Sequence, residues 1–338
     1  MCEHWGVRIR VAGRWVAAAA ISLGLVLAAS PATAGTIVTG DGTDISTGTQ
    51  RAVISWDGET ETVDLELHLS SDTGTAGFIF PTPSKAEVSV GDPSLFDRLD
   101  TATAPTGIVE DDWWGRESES TDAASSIVRA PIDLPEPTVI KATNKKGLNN
   151  WLKEHEFVLS DAATDAVASY ASQGWSFSMV TLSAADAFEG ALEPVRFTFA
   201  TDEVVYPLRL ASATESALSY RFYVIDDHRT EFMQSPKTSR ELNAARSVVW
   251  AGSLAGTGLE SLGPYLTVTD IRFDTPATQV SSDIAIVDAP ADDQLIPSIV
   301  VYHPIELLSM PLGWIIVVWG GIGLLFAAGY LANRFRAK

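Results

Sequence analysis

The chain has 338 residues, 43 acidic against 23 basic side chains, a formal net charge of -20 and a single cysteine. Such an acidic surface repels DNA, RNA and anionic lipid headgroups, because binding them depends on Lys and Arg side chains that neutralise phosphates. We therefore expect no nucleic-acid partner. The cysteine, Cys2, lies in a predicted export signal, which leaves the mature chain no thiol for a nucleophile, a metal site or a disulfide.

The N-terminus has the three parts of a secretory signal peptide. Three arginines precede an uncharged apolar run at residues 16–29, and the small residues Ala32 and Ala34 then form the pattern that a signal peptidase reads. We therefore predict that residues 1–34 are cleaved off after Ala34. The alternative is an uncleaved N-terminal anchor, for which the apolar run is short.

A β-hairpin is predicted next, after a Gly- and Thr-rich start at residues 35–48. Residues 51–56 and 60–69 are strand-like, and Asp57-Gly58 between them is a favoured hairpin turn. The second strand alternates strictly, with Val63 and Leu65 on one face and Asp64 and Glu66 on the other. This pattern predicts a half-buried strand whose polar face, including His68, lies in solvent.

An acidic, Ser-rich stretch follows and is predicted to be a surface loop at about residues 110–130. Trp113 and Trp114 interrupt it. Two adjacent tryptophans in such a loop are candidate binding residues for a sugar ring or a protein partner, although they could also fold back on the body. Residues 110–112 are acidic enough to hold calcium loosely, but an acidic loop on an acidic protein more often only contacts solvent.

The second half of the outer segment mixes a few helices with many strands. Helical patterns cover residues 147–154 and 160–173, and a short helical piece is predicted at residues 240–250. Strands are predicted at residues 175–182, 195–199, 204–210, 218–225, 265–273 and 283–287. Because helices and strands do not alternate regularly, the sequence favours an α+β fold with a mainly antiparallel sheet over a doubly wound one.

One compact polar cluster stands out, Asp226-Asp227-His228, followed by Arg229, directly after an apolar strand. A strand end holds catalytic groups firmly while leaving them open, and a carboxylate with an imidazole can carry out acid–base chemistry. The same residues also suit a charged turn held by local salt bridges. Asp226, Asp227 and His228 are therefore the catalytic candidates, and the turn is the simpler interpretation.

The usual motifs of metal and cofactor chemistry are missing from the sequence. The histidines after residue 34 have no metal-binding spacing, and there is no nucleophile elbow, no P-loop and no glycine-rich dinucleotide motif after a strand. We therefore predict no metal and no cofactor.

The C-terminus predicts a membrane span. Residues 311–331 are uncharged and long enough to cross a bilayer, Trp314 and Tyr330 lie near the two ends, and a short basic tail at residues 332–338 follows. Arg334, Arg336 and Lys338 in that tail should remain cytoplasmic. Residues 35–310 are then one extracytoplasmic domain. Gly323 and Ala327 form a small-xxx-small pair through which another membrane protein could pack.

Seven stretches, taken in order, resemble the bacterial family called domain of unknown function 2330. They are QRAVISWD at 50–57, FIFPTPS at 78–84, VSVGDPSLFDRL at 88–99, LNNWLKEHEFVL at 148–159, YASQGWSF at 170–177, residues 194–210 and YLTVTDIRFD at 265–274. The resemblance implies a signal peptide, an outer domain and an anchor. It implies no particular activity.

These patterns predict a single-pass protein of the cell membrane whose outer domain is a binding or scaffolding module for a cell-surface ligand or another membrane protein. The alternative is an extracytoplasmic hydrolase or cell-wall-modifying enzyme whose carboxylates are scattered in sequence and meet only in the fold. A third hypothesis is an accessory subunit that pairs through its span. A deep pocket with convergent Asp, Glu or His would favour the enzyme, and an open groove would favour the binding module.

Overall fold

The computed structural model describes residues 36–40, 45–116, 129–132, 137–141, 143–184, 187–235, 242–307 and 309–336. The predicted signal peptide with Ala32 and Ala34, most of the predicted acidic loop and Lys338 lie outside the described residues.

The described residues form 21 strands, five α-helices and one 3-10 helix. In chain order the strands are β1 Thr36–Val38, β2 Ser46–Thr47, β3 Gln50–Trp56, β4 Thr60–Glu66, β5 His68–Ser71, β6 Thr75–Thr82, β7 Glu87–Val90, β8 Thr106–Asp112, β9 Thr138–Lys141, β10 Ser176–Ser183, β11 Phe188–Ala191, β12 Val195–Ala200, β13 Val205–Tyr206, β14 Leu218–Asp226, β15 Thr230–Ser235, β16 Ala245–Ser253, β17 Tyr265–Phe273, β18 Asp283–Asp288, β19 Ser298–Pro304, β20 Glu306–Leu307 and β21 Met310–Pro311. The helices are α1 Ser94–Ala102, α2 Lys145–Glu154, α3 Asp161–Ser172, α4 Pro276–Gln279 and α5 Leu312–Arg336, and the 3-10 helix is Arg209–Ala213.

The largest sheet of the described residues has seven strands in the order β16-β17-β14-β3-β4-β12-β7. Its central strands are buried on both faces, because successive side chains point to opposite sides and both sides are covered. On β3, Ile54 packs into one core and Val53 into another. A four-stranded sheet in the order β1-β6-β10-β9 lies over one face, where Phe80 stacks on Phe197 of the larger sheet at 4.3 Å between ring centroids.

Helices close the outer faces of both sheets. The apolar side of α1, with Leu95, Phe96 and Leu99, packs on the far face of the seven-stranded sheet. Helices α2 and α3 pack on the far face of the four-stranded sheet, and the Ser160 hydroxyl accepts the Ala163 N–H to cap the start of α3. The order of layers is therefore helix, sheet, sheet, helix.

The predicted fold class is confirmed. Among the strand pairs of the described residues, only β3 with β14 and β8 with β19 run parallel. The hairpin at Asp57-Gly58 is also confirmed: the Asp57 carboxylate accepts the N–H groups of Glu59 and Thr60, and Gly58 has a positive φ of 100° that suits glycine.

Three local predictions were wrong. Residues 245–253 are strand β16, not helix, because the β-branched and aromatic run Val248-Val249-Trp250 pairs with β17 through a bulge. The strand predicted at 204–210 stops at Tyr206, since Pro207 lacks an N–H and the next two N–H groups donate to Asp283. The polar face of β4 is buried: Asp64 and Glu66 are 3% and 0% exposed.

Glu61 on β4 points into the core between the sheets. It is 0% exposed, one carboxylate oxygen accepts the Val205 N–H at 3.1 Å, and the other has no hydrogen-bond partner among the described residues. Burial raises the pKa of Glu61 well above its usual range, only partly offset by the Val205 hydrogen bond. The folded state therefore retains a proton that the unfolded chain loses, so Glu61 lowers stability as the pH rises above about 4.3.

Glu61→Gln, which keeps the shape and the acceptor for Val205, should therefore raise the melting temperature at pH 8 relative to the wild type and change it little at pH 4.5. Thermal unfolding of both proteins between these pH values checks this. A gain that does not grow with pH would contradict the assignment of a protonated Glu61.

Candidate functional site

An open cleft of about 1050 Å³ lies where α3, the β3–β4 hairpin, β12 and β18 come together. Its lining is Gly58, Glu59, Pro83, Ser169, Gln173, Trp175, Ala200, Thr201, Asp202, Glu203, Val205, Arg209, Ser235, Ser281, Ser282 and Asp283. Ten of these sixteen residues carry a hydroxyl, carboxylate or amide side chain, and one is a tryptophan.

The floor of the cleft is fixed by the Arg209–Asp283 ion pair. The Arg209 guanidinium approaches the Asp283 carboxylate at 2.6 Å and also donates to the Ser169 hydroxyl and the Gln173 side-chain oxygen. The other Asp283 oxygen accepts the backbone N–H groups of Leu208 and Arg209. Asp283 is 4% exposed, so this pair ties the start of the 3-10 helix to β18.

Tyr170 extends this arrangement into α3. Its hydroxyl donates to Asp283 at 2.5 Å, and the Arg209 guanidinium carbon lies 4.0 Å from its ring centroid. Burial, followed by the negative charge of Asp283, raises the pKa of Tyr170 well above its usual range, so the phenol stays a hydrogen-bond donor.

Trp175 is the half-buried aromatic side chain of the cleft. Its ring centroid lies 4.9 Å from that of Tyr170, and the Arg209 guanidinium is 5.7 Å away. These contacts hold the indole in place beside the exposed side chains of Glu59, Asp202 and Gln173. A fixed tryptophan bordered by hydroxyls, an amide and carboxylates can stack on an apolar ring face and hydrogen-bond to the polar groups around it.

The predicted cluster at Asp226, Asp227 and His228 lies elsewhere, in the turn between β14 and β15. The structure brings Asp292 to it: His228 Nδ1 lies 2.9 Å from one Asp292 oxygen, and the other accepts the Arg229 N–H. The hydrogen bond and charge of Asp292 raise the pKa of His228, and both side chains are about half exposed. The Asp227 N–H donates to Asp226. This geometry matches the interpretation as a charged turn, because the His228 imidazole is bound to the Asp292 carboxylate and both groups face solvent.

Trp113 and Trp114, the predicted binding tryptophans, are not among the residues that line the cleft. Both are about half exposed, and both contact the first turn of α5 instead. Trp314 is also at this contact, whereas Tyr330, Arg334 and Arg336 lie in the last turns of α5.

A buried ion-pair cluster, which the sequence did not reveal, lies between α1 and β4. Glu66 is paired with Arg51 at 3.0 Å, with Arg129 and with His68 at 3.1 Å. Arg51 and Arg129 each reach a carboxylate of α1, at Asp100 and Asp97. Glu66, Asp97 and Asp100 thus each have an arginine partner, as expected of an ion-pair cluster that stabilises the fold. Within the described ranges, no group of three or more His, Asp or Glu side chains is placed to hold a metal ion.

Residues 28–287 match the family DUF2330, described as an uncharacterized protein conserved in bacteria. The match covers well over half of the chain and agrees with the resemblance carried by the seven sequence stretches. No curated protein and no solved structure matches the chain.

Proposed function

The chain belongs to the DUF2330 family, and we propose that it is a single-pass, membrane-anchored module of the bacterial cell surface that binds a polyhydroxylated ligand of the envelope in the open cleft beside Trp175. The observation that carries this proposal is the cleft itself, in which a held tryptophan borders hydroxyl, amide and carboxylate groups.

The anchor rests on α5. Within the described residues it is the one helix long and apolar enough to cross a membrane, with a mean hydropathy of 2.1 over its most apolar window and none of that window buried. The predicted export signal before residue 35 and the basic residues after the span both support an outside position for the domain and a cytoplasmic tail.

A saccharide is the ligand class that suits this lining best. Sugars present an apolar ring face to an aromatic side chain and hydroxyl groups to amides and carboxylates. A polyanionic ligand suits it poorly, because Glu59, Asp202 and Glu203 border the cleft and the Arg209 charge is paired with Asp283.

The hydrolase alternative would have to use the outer carboxylates of the cleft, Glu59, Asp202 or Glu203, rather than Asp283. A pair of catalytic carboxylates needs one group free to give a proton and one free to attack or activate water. Asp283, the most buried carboxylate of the cleft, accepts hydrogen bonds from Tyr170, Leu208 and Arg209 and is occupied by them.

Trp175→Ala tests the proposal. The purified outer domain should be retained by at least one member of a panel of immobilised bacterial cell-wall oligosaccharides. The variant should lose about thirtyfold or more in affinity, because a central interface tryptophan typically contributes about 2 kcal/mol or more. Trp114→Ala removes an exposed tryptophan that does not line the cleft and is the matched control. Failure of the folded wild type to bind any member, or equal losses in both variants, would contradict the proposal.

A further inference from the structure

The first turn of α5 is held by the loop that carries Trp113 and Trp114. The Gly313 N–H donates to the Trp113 carbonyl oxygen at 2.7 Å, and the Trp314 indole N–H donates to the Trp114 carbonyl oxygen at 3.2 Å. The Trp114 and Trp314 rings meet edge to face, with centroids 6.0 Å apart. Backbone and side chain together therefore join the loop to the helix.

The fit of this contact requires glycine at position 313. A Cβ placed there would lie 2.6 Å from the Trp113 carbonyl oxygen and 2.8 Å from the Trp114 ring, closer than real Cβ atoms come to backbone. The loop is thus seated directly on the helix backbone.

Asp112 holds the loop in this shape. It is 1% exposed, and its carboxylate accepts the N–H groups of Trp114 and Arg116 and the Arg116 guanidinium. Its carbonyl oxygen accepts the Ile305 N–H, and the Ile305 carbonyl oxygen accepts the Leu312 N–H. A continuous set of hydrogen bonds therefore connects the parallel strands β8 and β19 to the first turn of α5.

The length of α5 sets the level of these tryptophans relative to a bilayer. From Trp314 to Arg334 the helix rises about 30 Å at 1.5 Å per residue, close to the hydrocarbon thickness. With Arg334 at the inner interface, Trp314 lies at the outer one, where amphipathic rings are favoured. Trp113 and Trp114 contact Gly313 and Trp314, so they lie at the same level.

Exposed apolar side chains occur at this junction and along the ribbon of β8 and β19 that leads to it. Outside α5, ten large apolar side chains of the described residues are exposed, and all but Val90 and Val158 belong to the segments that lead into the helix. The eight are Ile108, Val109, Trp113, Trp114, Leu295, Ile296, Leu307 and Met310. Of these, Trp113, Trp114, Leu307 and Met310 lie next to the first turn of α5, and exposed apolar side chains that cluster in this way mark an interaction surface.

We propose that Trp113, Trp114 and Trp314, with Leu307 and Met310, form an interfacial collar that lies in the outer headgroup region of the bilayer and fixes how the outer domain stands on the membrane. This proposal rests on the part of the proposed function in which α5 spans a bilayer. The occupant is lipid because the collar is continuous with the lipid-facing surface of α5. The nearby acids Glu110 and Asp111 match zwitterionic rather than anionic headgroups.

Single-cysteine labelling of the full chain tests the collar. With Cys2 replaced by serine, a fluorophore is attached to W113C, W114C or L307C in zwitterionic vesicles that contain nitroxide lipids, labelled either near the carbonyl groups or at the chain ends. We expect the shallow nitroxide to quench all three labels as much as a label at W314C, and several times more than one at V90C, an exposed position outside the collar. L307C keeps all three tryptophans. Its label therefore still reports the position of the collar if replacing a tryptophan disturbs the contact between the loop and α5.

A label at L324C, in the middle of α5, separates the two proposals. If the chain-end nitroxide quenches L324C while the collar labels behave like V90C, the collar is wrong and the span stands. If L324C is not quenched, the span itself is wrong. Collar labels that are shielded from both lipid nitroxide and aqueous iodide would mean that a second copy or another protein covers the patch, which also overturns the proposal.

Discussion

Replacing Glu66 with glutamine should lower the free energy of unfolding of the outer domain by about 3–5 kcal/mol, because it leaves Arg51 and Arg129 partly uncompensated in a buried site. The Glu66 side chain is 0% exposed, and those of Arg51 and Arg129 are 7% and 6% exposed. The cluster also joins α1 to the seven-stranded sheet, since Arg51 and Arg129 reach Asp100 and Asp97 on that helix. The loss should therefore loosen α1 as well.

Thermal unfolding measures this effect. A loss of this size lowers the melting temperature by roughly 10 °C for a domain of this length. The matched control is Asp270→Asn, which breaks the Arg221–Asp270 pair at 2.7 Å, whose side chains are 41% and 39% exposed. An exposed pair contributes at most about 1 kcal/mol. Equal losses in the two variants would show that burial does not decide the strength of these pairs.

The pH dependence of the same variant has a definite sign. Burial alone would raise the pKa of Glu66, but the hydrogen bonds from His68 and Arg129 and the charge of Arg51 together lower it below the ordinary value. A lowered pKa stabilises the fold above the ordinary glutamate pKa, and this contribution is lost as the pH falls through the folded-state value. The difference in stability between the wild type and Glu66→Gln should therefore shrink on acidification.

Elements that depend on local chemistry could be predicted from the sequence. The Asp57-Gly58 hairpin, the capped helix after Ser160 and the apolar C-terminal helix each have their signal within a few neighbouring residues. The fold class also followed from the order of these elements.

The sequence could not predict that the polar face of β4 is buried. Alternating apolar and polar residues distinguish the two faces of a strand but do not show what packs against each face. Asp64 and Glu66 are paired with arginines from distant segments, at residues 196, 51 and 129. The packing of α1, together with the side chains of Arg129 and Arg196, closes that face. A pattern of carboxylates opposite scattered arginines was the available signal, and it has no fixed spacing.

The cleft was missed for the same reason. Its lining draws on three stretches that carry the family resemblance, at residues 78–84, 170–177 and 194–210, which are far apart in the chain. Trp175 was assigned to a strand by its alternation, and nothing local marked it as a cleft residue. His228 was singled out, but its partner Asp292 lies 64 residues away.

A chain that ends at Met310 should leave the membrane entirely, because it lacks α5, the apolar helix from Leu312 to Arg336. Expressed with its predicted export signal, the truncated chain should be recovered outside the cytoplasm as a soluble protein. The full chain should remain in the membrane fraction after a high-salt wash, which removes proteins held by charge but not a spanning helix. Trp113→Ala with Trp114→Ala in the full chain is the control, since it weakens the collar and keeps the span.

The most direct test adds a membrane-impermeant maleimide to intact cells that express full-length chains with a single cysteine at Val90 or at Ala332. If the domain stands outside on a spanning helix, V90C is labelled in intact cells and A332C only after lysis, while both stay in the washed membrane fraction. Labelling of A332C in intact cells, protection of V90C until lysis, or a truncated chain that still sediments with membranes would contradict this account.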